Sequence, residues 1–339
     1  MAAKILLCGG NRVSQVVWCI WRGFQRIGCD VKTFPTRGKT PEEMVRLVRI
    51  VKDFQPDLLF WAMCKHDCPE EFVAKLRQQN SKLKTVFHSF DDPFKIDENG
   101  HPRAHEFQFA VTCCESSVGW YKDQGVAAIT LYPPCDPDLH GNALSNGIEQ
   151  CDFSFAATNV YPRDKYGHVL ASRAEIVRKI ADLGRLHLYG PWNDKSLNWG
   201  GLPKGKSASQ GLKDLKSCSR GFRNYSQMPT VFVSSAINLN SHVRPDAYRY
   251  LNERTIICLG SGGFMLSDKV NGMEELFVPD KEIVVWSTLD ELREKAIWWL
   301  AHPKERAAVA AAGQARALRE HSNVHHAQAV LKLCHASSK

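Results

Sequence analysis

Twice along this chain, short apolar runs of strand length alternate with amphipathic segments of helix length, and few folds accept that pattern. In the first half Lys4–Cys8, Val31–Phe34, Asp57–Trp61, Leu83–Phe87, Phe107–Thr112 and Ala127–Tyr132 read as strands. Between them Ser14–Ile27, Pro41–Phe54, Pro69–Gln79 and Glu115–Gln124 place apolar residues at helical spacing. Strands separated by helix-length segments predict βαβ units, hence a parallel sheet with helices on both faces. The alternation restarts with a strand at Asp152–Ala156, a long basic helix at Tyr166–Leu183 and a strand at Arg185–Tyr189. After a looser segment it resumes with strands at Ala236–Asn240, Phe264–Leu266 and Ile283–Trp286, and with helices at Leu289–Leu300 and Pro303–Glu320. Between the two series, Tyr132–Gly141 is crowded with proline and Asn142–Gln150 is polar without periodicity, the mark of a linker. The expected domains are residues 1–145, residues 146–321, and a tail at 322–339 whose Val324–Cys334 reads as a helix.

The chain has 339 residues, enough for two cores, and its 44% hydrophobic and 24% charged residues are those of a globular protein. No apolar run reaches the roughly 18 residues of a membrane span, and the opening residues turn polar too soon for a signal peptide. A cytoplasmic protein is expected. Its 12 cysteines sit mostly in apolar surroundings, where a free thiol packs as a small core residue. Cys64, His66 and Cys68 form the one local cluster; with no further ligand at matching spacing, no metal site is expected. The formal charge of +8 favours an acidic partner. Lys204, Lys206, Lys213, Lys216, Arg220 and Arg223 gather in one polar stretch, either a solvated face or a cradle for phosphates.

Chemistry concentrates between Ser234 and Trp286. The strand ending at Asn240 enters a polar loop, and a helix opens near Asn252-Glu253-Arg254-Thr255 and ends at Gly260, Gly262 and Gly263. A helix N-terminus at the carboxyl end of a strand, with Arg254 in its first turn, is suited to an anion, because free N–H groups and the helix dipole both favour negative charge there. In the first half, Gly9 and Gly10 end the first strand without a G-x-G-x-x-G fingerprint; they serve a tight turn or let an acceptor approach the backbone. His88, Asp91 and Asp92 follow the fourth strand. Two readings stand for the carboxylates: a base facing a cleft, or a loop and helix cap ahead of Pro93.

Arg254-Thr-Ile-Ile-Cys-Leu-Gly-Ser-Gly-Gly-Phe264 resembles a motif of CgeB-type glycosyltransferases, which typically read Arg-Thr-Phe-Glu-Ile-Ala-Ala-Cys-Gly-Gly-Phe. Agreement continues through Leu266-Ser-Asp268, Glu275-Leu-Phe277, Glu282-Ile-Val, His302-Pro and Glu320-His321, and upstream through Leu188-Tyr-Gly-Pro-Trp192 and Phe90-Asp-Asp-Pro93. The resemblance implies an α/β protein of GT-B fold: two Rossmann-like lobes facing across a cleft, with the C-terminal helix crossing back onto the first. It implies transfer of a hexose or pentose from a nucleotide-sugar donor, with no cofactor or catalytic metal beyond that substrate. Arg254 would neutralise the leaving diphosphate with help from Thr255. Asn238, Asn240, Glu253, Gly190, Trp192, Glu275 and Glu282 would line the donor site, Trp192 stacking on the base. Asp91 or Asp92 would serve the acceptor as base, beside Gly9, Gly10 and His88. The acceptor is expected to be acidic or polyhydroxylated, DNA with a hydroxylated base being one candidate. One departure stands out: Ile257 occupies the position where the motif has glutamate, a ribose partner in related enzymes. Either Glu253, one turn earlier, substitutes, or donor choice differs, or the protein binds without catalysing.

Overall fold

The computed structural model describes residues 2–9, 16–35, 40–62, 68–99, 101–157, 169–190, 192 and 217–336. Gly10, the Cys64–His66 part of the cysteine cluster and Lys204–Lys216 lie outside the described residues. The chain divides into two compact units, one of residues 1–136, 250–253 and 320–339, the other of residues 137–249 and 254–319.

In the first unit β1 (Lys4–Cys8), α1 (Val16–Arg26), β2 (Asp30–Phe34), α2 (Pro41–Phe54), β3 (Leu58–Ala62), α3 (Phe72–Gln79) and β4 (Lys84–His88) follow in turn. Then come α4 (Phe94–Asn99), β5 (Phe109–Thr112), α5 (Val118–Asp123) and β6 (Ala127–Thr130). The six strands form one parallel sheet in the order β2-β1-β3-β4-β5-β6. β3, Leu-Leu-Phe-Trp-Ala, is buried at every residue, as a strand covered by helices on both faces must be. Local signals explain the helices. Thr40 caps α2 by accepting from the Glu43 amide, Pro41 sits at its first position, and Gln55 ends it in the left-handed conformation.

The second unit holds β7 (Cys151–Ala156), α6 (Arg173–Ile180), β8 (Leu186–Tyr189), β9 (Ser219–Gly221), α7 (Met228–Ser234), β10 (Ser235–Asn240) and α8 (Glu253–Gly260). After these come β11 (Met265–Asp268), β12 (Val284–Trp286), α9 (Leu289–Ala301) and α10 (Pro303–Glu320). Its parallel sheet runs β12-β11-β10-β7-β8-β9. Numbered within the unit this is 6-5-4-1-2-3, the doubly wound Rossmann order, whose direction reverses between β7 and β10. The basic helix expected over Tyr166–Leu183 is shorter: Ser172 accepts from the Glu175 amide and Glu175 accepts from the Ser172 amide, a capping box that starts α6 at Arg173. Three elements were not expected. α4 and β9 are short, and α7 runs into β10 with no breaker, so Val-Phe-Val-Ser-Ser-Ala-Ile reads as one apolar strand.

The last helix, α11 (Asn323–Ala336), belongs to the first unit and packs along α1. A Cβ on Gly23 would come within 2.2 Å of the Asn323 carbonyl, so only glycine allows the two backbones to meet. Asn323 donates to the Cys19 carbonyl (3.1 Å) and to Asp136 (3.1 Å), and Arg22 and Arg26 close on Asp136 at 2.7 and 2.8 Å.

α11 also brings His326 against His88, with ring centroids 5.1 Å apart. Both rings are buried, and among the described residues neither has a hydrogen-bond partner for either nitrogen. Burial pushes His326 down to about 3 and His88 well below the usual imidazole range, to which His326 adds repulsion. Both rings are therefore neutral in the fold and must take up protons on unfolding in acid. Their contribution to stability is complete above about pH 6.5 and falls as the pH drops from there toward 3, by up to about 1.4 kcal/mol per pH unit for each ring. The expected result is a Tm that declines steeply below pH 6.5 in the wild type and less steeply in His326→Phe; equal slopes in a pH series would contradict it.

Candidate functional site

In a doubly wound sheet, ligands bind outside the carboxyl ends of the strands where the order reverses. In the second unit that point lies at the ends of β7 and β10. β10 delivers Asn240 there, the loop beyond it Ser241 and His242, β11 Ser267 and Asp268, and the first turn of α8 Arg254 and Thr255. Each step of this network is set by the one before. Arg254 donates through Nε to Asn240 Oδ1 (3.1 Å) and through Nη2 to the Ser241 carbonyl (3.3 Å). Asn240 Nδ2 donates to Thr255 Oγ1 (3.1 Å) and Ser267 Oγ (3.3 Å). Asp268 accepts from the His242 main chain (2.7 Å) and from its ring Nδ1 (2.6 Å). With the proton on Nδ1, Nε2 accepts from the Thr255 hydroxyl at 3.2 Å, a tautomer assigned from the network.

Asn240, Thr255, His242 and Asp268 are all buried, whereas Arg254 is half-buried. The buried amide, hydroxyl, imidazole and carboxylate thus fix the orientation of one partly exposed guanidinium at a helix N-terminus. A second guanidinium joins it. Arg173, in the first turn of α6 and itself buried, donates to the Ser241 hydroxyl at 3.3 Å, so Ser241 holds one arginine on its carbonyl and the other on its side chain. The arrangement suits a ligand of concentrated negative charge. Arg173, Ser241, His242 and Asp268 are absent from the residues expected from sequence. Only the agreement of Leu266-Ser-Asp268 with the motif hinted at them: Ser241 and His242 stand just beyond the end of β10, and Arg173 comes from the first turn of α6.

The other expected residues fall into separate places. Asn238 lies inside the sheet, accepting from Ser154 Oγ (2.7 Å) and donating to the carbonyls of Phe232 (2.9 Å) and Phe264 (3.0 Å); its amide is used up as framework. Trp192 is 2% exposed, its indole donating to the Tyr189 carbonyl and its ring packed on Phe155, so it is a core residue with no face for a base. Gly190, with φ +112°, lets the end of β8 approach Ala157, whose carbonyl would stand 2.4 Å from any Cβ. Glu253 opens α8, and Glu275 follows β11 on the same edge as Asn240, where it accepts from Tyr248 at 2.7 Å. Glu282 precedes β12, at the amino end of the sheet, and accepts from the Val278 amide; it closes a loop away from the site. Ile257 is buried in α8. A cavity of about 750 Å³, lined by Gln150, Cys151, Ser235 and Arg306, also opens at that amino edge, against the strand starts rather than their carboxyl ends.

In the first unit Gly9 ends β1 where the strand order reverses between β1 and β3, close to Ala62. Asp92 is fully buried, and four groups converge on its carboxylate: Ser89 Oγ and His101 Nε2 on one oxygen, Thr112 Oγ1 and Tyr121 OH on the other, all at 2.7–2.8 Å. A carboxylate so filled has no room for a substrate proton, so Asp92 is an organising group, not a base. Burial and this neighbour push the Tyr121 hydroxyl far up, keeping it a donor. His88 is buried and inaccessible to an acceptor. Asp91 is half-buried, its carbonyl capping α4 through the Lys95 amide.

Among the described residues no helix is long and apolar enough to cross a membrane. None of the curated proteins matches this sequence. Residues 172–332 match the family model described as glycosyl transferase-like. Among solved structures, HepE of Anabaena in complex with UDP superimposes with a TM-score of 0.64 at 11% identity, covering 99% of this chain and 100% of that one. Sucrose-phosphate synthase of Thermosynechococcus elongatus gives 0.64 at 10% identity, with the same 99% and 100% coverage. A glycosyltransferase of Rickettsia africae gives 0.65 at 10% identity, with 98% of each chain covered. The chain therefore has the fold of the GT-B glycosyltransferases, with residues 172–332 matching the glycosyl transferase-like family.

Proposed function

We propose that this protein is a glycosyltransferase that takes a hexose or pentose from a nucleotide-sugar donor, with Arg254 and Arg173 neutralising the diphosphate as the glycosidic bond breaks. The observation that carries this is the pair of guanidiniums joined through Ser241 at the N-terminus of α8, where a Rossmann-ordered sheet receives phosphates. A loose transition state builds negative charge on the leaving oxygens, and fixed positive groups stabilise it without reorganising. Two guanidiniums and helix N–H groups supply that charge from the protein itself, which supports transfer without a catalytic metal. The similarity to a protein solved with UDP makes a uridine nucleotide the first donor class to test.

Ile257 is buried and apolar, so the ribose hydroxyls need another acceptor; Glu253, four residues earlier in α8, is the nearest candidate in sequence. The acceptor is a polyhydroxylated or acidic molecule. The test is a thermal-shift panel with UDP, GDP, ADP, CDP and TDP and their common sugars. A nucleotide present at about 100 times its Kd should stabilise by roughly 2.7 kcal/mol, a readily measured rise in Tm. One responding base fixes the donor class; no response from any of them rules the reading out.

A further inference from the structure

At the other end of the second sheet from Arg254, α9 and the loop before β12 border an open surface hollow of about 530 Å³ lined by Asp280, Glu294, Lys295, Trp298 and Trp299. That lies within the range of about 300–1,000 Å³ of small-ligand sites. Trp298 is 45% exposed, unusual for so large an apolar side chain. Its ring is held: His302 stacks on it with centroids 3.9 Å apart and 11° between planes, and donates through Nδ1 to the Trp298 carbonyl. Trp299 stands at 84° to it and is anchored on Phe264 in the core. Asp280 is held as well, in the left-handed conformation at φ 59°, with its amide bound to the Ile283 carbonyl. The Lys295 ammonium is fixed between the Val285 carbonyl (2.6 Å) and Glu291 (2.9 Å).

We propose that Trp298, Asp280 and Glu294 form an accessory carbohydrate-binding site, separate from the arginine site and independent of whether that site binds a nucleotide. A sugar ring has an apolar face of C–H groups that fits the negative face of an indole, and a rim of hydroxyls that both donate and accept. The hollow offers the matching parts: a preset indole wall, carboxylates to accept, and the stem of a lysine whose ammonium is already paired with Glu291. The carboxylates of Asp280 and Glu294 on the rim repel an anionic ligand and can accept from the hydroxyls of a neutral polyol. Burying the exposed indole under a sugar also removes apolar surface from water.

The site is tested by isothermal titration of the full chain with maltotetraose, cellotetraose and chitotetraose, with and without UDP. At least one of them binds in either condition, and Arg254→Ala leaves that binding unchanged. Trp298→Ala weakens it roughly tenfold or more, the scale of one lost aromatic contact with its buried area. Asp280→Asn, which keeps the left-handed backbone because asparagine tolerates it, also weakens binding without lowering Tm. Absence of binding by all three oligosaccharides, or equal affinity in Trp298→Ala, overturns the proposal. So does binding of tetramethylammonium alone, which would make the indole walls a cage for organic cations.

Discussion

Replacing Arg254 by alanine is expected to lower kcat for sugar transfer or donor hydrolysis by about 10²–10³, the cost of removing one preorganised group from the developing charge. On the proposed reading the nucleotide diphosphate should bind more weakly as well, because the same guanidinium would meet it in the ground state. Stability should change little, because Arg254 is half-buried and its loss frees partners at the surface end of the network, among them the Asn240 side chain and the Ser241 carbonyl. Arg254→Lys should fall between, since lysine keeps the charge but loses the planar fork that binds Asn240 and the ligand together. Arg173→Ala should behave differently. It removes a buried capping-turn residue, so a loss of Tm should accompany the loss of rate. Unchanged kcat and unchanged UDP affinity in Arg254→Ala would remove the arginine from the mechanism.

Asp92→Ala is expected to be among the most destabilising substitutions in the first unit. It leaves Ser89, His101, Thr112 and Tyr121 aimed at an empty buried site. Unpartnered buried donors cost about 1–3 kcal/mol apiece, and losing one side of a buried charged network about 3–5 kcal/mol in all. Denaturant titration should show that loss in the transition of the first unit. The outcome separates two roles. An acceptor-side base would lose rate in Asp92→Asn with stability nearly intact; an organising carboxylate loses stability first, in asparagine and alanine alike.

The architecture was legible because it rests on periodicity. Pro41–Phe54 and Pro303–Glu320 have the same bounds in sequence and structure, each opening on a proline at the first helical position. Arg254, Asn240 and Thr255 were legible for a similar reason, being local to one strand–loop–helix passage. His242, Asp268, Ser241 and Arg173 were not, because their meeting brings together the loop beyond β10, the end of β11 and the first turn of α6, which lie far apart in sequence. Trp192 and Asn238 illustrate the opposite error. Residue type suggested a ligand, but Trp192 packs on Phe155 in the core and Asn238 spends its amide on main-chain carbonyls. Asp92 differs again: two adjacent acids after a strand look alike in sequence, yet one is half-buried and the other is the centre of a closed network.

The return of residues 320–336 to the first unit carries a consequence for how the protein is made. α1 is covered by α11, and Asp136 is completed by Asn323, so the unit translated first stays unfinished until residues from the far side of the second have emerged. Asp136 and Glu320 are on the order of 180 residues apart, roughly 10–40 s of synthesis at about 5–20 residues per second. During that interval the apolar side of α1 that α11 will cover is open to solvent, while the second unit can close on itself. The unit that begins the chain is the last to mature, and its exposed helix is the natural place for a chaperone to hold.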